Sequence, residues 1–258
     1  MTRRVLLAVA LVLPLATTAC SAIRTEKAAP ATATPSAART SAPAASARPT
    51  PASVPALTPA QAQAALVTYT DLGEPWAPTE GAATWRDGLL KATANAPDCQ
   101  KLLDSLYSER LFGAGAQVRA ATGLDDTWND SQLHHQIVAV RPADVDRTLA
   151  WLKTLPKKCG TFTAATATGA VQNAAVSDPR LPGIGDARQA LRLTLTGENA
   201  DGDETVLTLD VAAVRVGDDA LILTNGGLGD VYPEVTQAVT ELAAQRLADV
   251  RKQARVEV

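Results

Sequence analysis

The stretch Leu133 to Phe162, LHHQIVAVRPADVDRTLAWLKTLPKKCGTF, lays down a strand, a helix and a cysteine in that order, and it constrains the fold more than any other segment. Leu133, His135, Ile137 and Ala139 share one face of the strand Leu133 to Val140; His134, Gln136, Val138 and Val140 share the other. Apolar residues on both faces, several of them β-branched, describe a largely buried strand. Pro142 stands at the expected first helical residue, where its missing N–H has no intrahelical partner to lose. Val145, Leu149, Leu152 and Leu155 then draw one apolar stripe down the helix. Asp144 and Asp146 lie near its N-terminus, and Lys153, Lys157 and Lys158 at or past its C-terminus, as the helix dipole favours. Pro156 is expected to end the helix, and Cys159 to begin the next strand. A buried strand feeding an amphipathic helix implies an α+β domain.

The N-terminus speaks to compartment. Arg3 and Arg4 precede an apolar run, Val5 to Leu15, that is too short to span a bilayer as a mature helix. Thr17, Thr18 and Ala19 then lead to Cys20, so residues 1–19 read as a secretory signal peptide. A cysteine directly after the small residues resembles a bacterial lipoprotein signal, in which Cys20 carries fatty acyl chains such as palmitate and becomes the mature N-terminus. Thr17 departs from the usual Leu or Val of that pattern. The alternative is an ordinary signal cut near Ala19 that leaves Cys20 a free thiol. The lipoprotein reading places the protein on the extracytoplasmic face of the cell membrane, anchored by lipid.

Residues 20–56 form the next unit. From Ala28 to Ala56 the chain is almost wholly Ala, Pro, Ser and Thr, with Pro30, Pro35, Pro43, Pro49, Pro51 and Pro55 and no aromatic residue. Such a segment cannot bury enough apolar surface to offset its ordering entropy, so a disordered tether is expected. Repeated proline stiffens it toward polyproline II, at roughly 3.1 Å per residue where extended.

Residues 57–252 suit a single domain, with 253–258 as a C-terminal tail. Thr58 and Pro59 start a first helix over Pro59 to Val67, and Asp71 to Pro78 reads as a loop carrying Trp76. Asp98 to Tyr107 is a second helix, and Gln117 to Thr122 a strand. After Cys159, strands are expected over Thr161 to Thr166 and Val171 to Val176, followed by a loop from Ser177 to Asp186. Leu191, Leu193 and Leu195 alternate with polar residues, as do Leu207, Leu209 and Val211 after a turn at Asn199 to Asp203. Val216 to Asp219 is a second hairpin, leading into Leu221 to Thr224, and Pro233 opens the last helix. The fold class is therefore α+β, an antiparallel sheet with helices packed on it.

With Cys20 acylated, Cys99 and Cys159 remain, and two cysteines in an exported domain most simply pair. The alternative is two separate thiols. Without residues 1–19, the 24 basic residues become 22 against 27 acidic, a net charge of −5. No Lys/Arg run interleaves with aromatics, which makes nucleic acid a poor partner. His134 and His135 are the only histidines and point to opposite faces of a strand, which does not suit a shared metal. No GxSxG nucleophile elbow occurs, so neither catalysis nor a cofactor is expected. Asn225-Gly226-Gly227-Leu228-Gly229 offers either backbone N–H groups to an anion or a flexible turn. The Trp76 loop and the Ser177 to Asp186 loop are placed to rim a cleft.

Several segments in order carry a family resemblance: LVTYTDLGEPW, APDCQKLLDSL, QIVAVRPADVDRTLAWLKTLPKKC, GIGDA before a strand, and VAAVRVGDDALILT before a terminal helix. Spread over most of residues 57–252, they resemble actinobacterial exported proteins with a PknH-like extracellular sensor domain. The resemblance implies an α+β domain with a solvent-exposed cleft and disulfide bonding, found on receptor kinases and on stand-alone lipoproteins. The kinase form carries more cysteines, so only Cys99 and Cys159 carry over as a bridge. Nothing in this chain resembles the kinase HRD or DFG motifs, and no ligand or binding residue carries over. The expected role is an envelope lipoprotein whose domain binds a small molecule or cell-wall component. A structural or protein-interaction lipoprotein, with an envelope protein as partner, is the alternative.

Overall fold

The structure, a computed structural model, describes residues 57–198 and 202–256. The signal peptide, Cys20, the tether up to residue 56 and the middle of the expected turn at Asn199 to Asp203 lie outside the described residues.

Nine strands form one antiparallel sheet in the order β1-β3-β4-β9-β8-β7-β6-β5-β2. The strands are β1 (Trp76–Pro78), β2 (Ala92–Ala94), β3 (Gln117–Asp126), β4 (Ser131–Ala139), β5 (Phe162–Thr166), β6 (Val171–Ser177), β7 (Ala187–Glu198), β8 (Glu204–Val216) and β9 (Asp219–Gly227). Five helices accompany them: α1 (Pro59–Ala64), α2 (Tyr69–Leu72), α3 (Pro97–Tyr107), α4 (Pro142–Lys158) and α5 (Pro233–Val256). A single π-helical turn, Arg86–Leu90, precedes β2.

Side-chain alternation sorts the strands into two cores. Leu133, Ile137, Leu221, Leu223, Ala212 and Val214 face α1 and α5. Val138, Ile222, Leu207, Leu209, Leu193 and Leu195 face α3 and α4. The sheet is thus a middle layer with helices on both faces, which is why β4 is apolar on both sides.

The expected helix boundaries move for local reasons. The first helix stops at Ala64, short of the expected Val67, because the Val67 N–H donates to His135 Nδ1 at 3.3 Å. Where a loop was expected over Asp71 to Pro78, α2 and β1 form. Asp71 caps α2 by accepting the Thr68 N–H at 2.7 Å and is held by Arg246 of α5 at 2.6 Å. β1 is an edge strand, the position in a sheet that tolerates Pro78. Pro156 does not end α4, which runs to Lys158; in the last turn its missing N–H removes a single helical bond. Cys159 is accordingly the helix C-cap rather than the start of β5, which begins at Phe162. β3 extends to Asp126, beyond the expected Thr122. α5 continues to Val256, past Lys252, where the sequence places the end of the domain.

Cys99 and Cys159 are bonded, with their Cα atoms 5.7 Å apart, joining the first turn of α3 to the C-cap of α4. At the N-terminus of α5, Arg192 of β7 grips Asp210 of β8 bidentately at 2.6 and 2.8 Å. Thr236 donates to the same carboxylate at 2.8 Å, which fixes the start of α5 on the sheet.

Candidate functional site

α4 packs on β6, β7 and β8, so the β4–β9 part of that face must be covered by something else. The cover is the π-helical turn, the end of α3 and the segment after it. Between cover and sheet lies a cavity of about 50 Å³. His134 and Gln136 of β4, Ile222 and Thr224 of β9 and Leu209 of β8 make its floor; Trp85, Leu90, Leu106 and Leu111 roof it. Floor residues come from three neighbouring strands in register, with His134 opposite Thr224 and Gln136 opposite Ile222.

Charged groups close one wall. Arg86 Nη1 donates to Glu109 Oε1 at 2.5 Å, while its Nε and Nη2 donate to the Tyr107 carbonyl at 3.2 and 2.6 Å. Glu109 sits just past the α3 C-cap with φ 55°, the left-handed position where glycine is usual. Held there, its carboxylate lies 3.8 Å from His134 Nδ1. Burial pushes the His134 pKa below its ordinary value; the Glu109 charge opposes the shift and Arg86 adds to it. Gln136 is only 5% exposed, and its Oε1 has no hydrogen-bond partner among the described residues.

The cavity shares Ala83, Trp85 and Gln132 with a larger trough of about 490 Å³ at the β3–β4 hairpin. Gln132 organises the junction. Its Nε2 lies 2.8 Å from both Thr79 Oγ1 and Asp125 Oδ1, and its Oε1 accepts the Ala83 N–H at 3.3 Å. Asp126 accepts the N–H groups of Trp128 and Asn129 at 2.9 and 3.1 Å, a local turn that leaves Trp128 74% exposed on the trough wall.

The residues singled out in the sequence fall on and off this site. His134 enters it; His135 points to the other face, into the α1/α5 core. Trp76 packs against that opposite core, and Asp178 to Leu181 line a separate groove with Arg188 and Gln189, so the two expected rim loops do not meet at one cleft. The glycine cluster is neither an anion nest nor a free turn, because Asn225 to Gly227 belong to β9. Its glycines serve close packing. A Cβ on Gly226 would lie 2.4 Å from Leu209 Cδ1, and one on Gly227 would lie 2.5 Å from the Asp130 carbonyl. Glycine here lets Leu209 form the cavity floor and lets the hairpin sit down on β9. Sequence reasoning missed Trp85, Arg86, Glu109 and Trp128. The available signal was the polar pair His134 and Gln136 on one face of an otherwise apolar strand.

No family model and no curated protein matches the chain. Among solved structures, it is similar to the extracellular domain of PknH from Mycobacterium tuberculosis, at 15% identity over 78% of this chain and 99% of that one, with a TM-score of 0.45.

Proposed function

We propose that this is an extracytoplasmic ligand-binding domain, tethered to the cell membrane through acylated Cys20, and that its ligand occupies the cleft between the β4–β9 floor and the end of α3. The role is binding rather than catalysis. The observation that carries the reading is the cavity with its converging polar groups. Apolar walls with a few placed polar side chains are the usual make-up of a ligand site. Gln136 Oε1, buried there without a partner, is the kind of acceptor that a ligand N–H or O–H satisfies.

Ala83 stands at the cleft mouth and is half-buried, so Ala83→Phe fills the entrance from the surface. Mass spectrometry of molecules that co-purify with the native chain and with Ala83→Phe tests the reading. A molecule retained by the native chain and lost from the variant is the expected result. Identical retention by both, or no retained molecule in either, goes against it.

A further inference from the structure

The trough beside the cavity carries more negative charge than its own surroundings neutralise. Glu80, Asp125, Asp126 and Asp130 line it, and no Lys or Arg forms a salt bridge with any of them among the described residues. Asp125 and Asp126 accept only neutral donors: the Gln132 amide, the Asn129 amide and backbone N–H groups. Arg86, which lines the adjoining cavity, is already committed to Glu109 and the Tyr107 carbonyl. Tyr232, on the segment that Gly229 packs against the hairpin, registers the same field. Its hydroxyl pKa is raised first by the Asp230 charge, then by burial, with the Asp126 charge contributing.

Two further observations point to an occupant. Trp128 presents its ring to solvent on the trough wall, and a ring face beside carboxylates is a favourable seat for an ammonium or guanidinium group. Gln136, nine-tenths buried, offers an unpartnered acceptor inside the adjoining cavity. A buried water needs roughly 10–15 Å³, so the cavity of about 50 Å³ holds roughly four heavy atoms, the size of a branched aliphatic side chain. Ala83, Trp85 and Gln132 line both spaces, so the two adjoin.

Resting on the ligand-binding reading above, we infer that the ligand is a cationic peptide segment. An aliphatic side chain enters the cavity under Trp85, a peptide N–H donates to Gln136 Oε1, and flanking Lys or Arg side chains lie in the Glu80–Asp125–Asp130 trough against Trp128. Charge supplies attraction and orientation; the buried aliphatic group supplies selectivity among cations.

Calorimetric titration of the full chain, purified in a non-ionic detergent, tests this with three capped pentapeptides. One has leucine flanked by two lysines on each side, one has glutamates in place of the lysines, and one has glycine in place of the leucine. The lysine–leucine peptide is expected to bind and to weaken with added salt. The other two peptides, and the variants Glu80→Gln with Asp130→Asn, Trp128→Ala and Ala83→Phe, should each weaken binding by about tenfold or more. Equal binding of the lysine and glutamate peptides, both sensitive to Ala83→Phe, overturns the cationic class while leaving the cleft a binding site. Binding of the lysine–leucine peptide that none of the variants alters places it elsewhere and overturns the inference. Absence of binding at millimolar peptide also overturns it; the ligand-binding reading is then judged by the co-purified molecule alone.

Discussion

His135 and Asp219 are buried side chains whose charge the fold decides. His135 is fully buried in the α1/α5 core, and its Nδ1 accepts the Val67 N–H. Burial, helped by the charges of His134 and Arg246, lowers its pKa from 6.5 to about 3. Between those values the unfolded chain binds a proton that the folded chain refuses. Stability is therefore complete above about pH 6.5 and is lost as pH falls toward 3, at up to about 1.4 kcal/mol per pH unit. His134, shifted in the same direction, adds to the slope. Asp71, Asp98 and Asp144 are held below their ordinary carboxylate value, so their stabilising ion pairs fade only below about pH 3.8; of the shifted carboxylates, Asp219, whose pKa is raised, enters the histidine window, and it acts there with the opposite sign. Urea denaturation between pH 7.5 and 4.5 should show this loss. His135→Leu should start less stable, because it orphans the Val67 N–H, yet show a flatter slope; an unchanged slope counts against the assignment.

Asp219 opens β9 with its side chain fully buried, and burial raises its pKa while the Arg251 charge opposes the shift. Arg251, itself 4% exposed, reaches Asp219 and Asp218 from α5 and lies over Gly217, which has φ 62° in the two-residue turn between β8 and β9. Arg251→Met leaves a carboxylate buried without its counter-charge, which costs about 3–5 kcal/mol. Adding Asp219→Leu should recover much of that loss in thermal melts, since the desolvated charge is then gone. A double variant no more stable than the single would place the cost in packing instead.

At the scale of elements, the disulfide, α3 and α4 form one unit over the sheet. The 60-residue separation between Cys99 and Cys159 is worth about 4 kcal/mol in the chain-entropy account, before strain. Reduction should lower the melting temperature without unfolding the domain, because the two cores are extensive without the bridge. Cys99→Ala, Cys159→Ala and the double variant should cost the same, because each removes one link. Two reactive thiols in the unfolded, unreduced chain would contradict the bridge.

These elements were legible to different degrees for identifiable reasons. β4 and α4 follow from periodicity alone, since apolar stripes at two and at three-to-four spacing leave little choice. α2 and β1 were not legible. α2 is capped by Asp71, whose carboxylate Arg246 grips from a helix at the far end of the chain, and β1 exists only because β3 offers an edge. The extension of β9 through Gly226 and Gly227 was hidden because glycine signals a turn locally, whereas here it answers a close approach by Leu209 and the hairpin. The cleft was half legible. His134 and Gln136 come from one strand, but Glu109 and Arg86 join them only through tertiary packing.

On the scale of the molecule, the cleft and the first described residue belong to opposite faces of the sheet. Leu57, the first described residue, is 2% exposed in the α1/α5 core, and its N–H bonds to Asp219. The cleft opens on the α3/α4 face. Leu57 is buried and Thr58 forms a capping box, so protease resistance should begin there. Limited proteolysis of the full chain should cut first between Ala28 and Ala56, and N-terminal sequencing of the surviving fragment should read from near Leu57. Early cuts inside 90–250 would mean that the domain edge is wrong. The same fragment should leave the membrane fraction on cleavage. Cys20→Ser should release the intact chain as well, because stable attachment needs the acyl chains that this cysteine would carry. Membrane retention of Cys20→Ser equal to that of the native chain would rule out the lipid anchor.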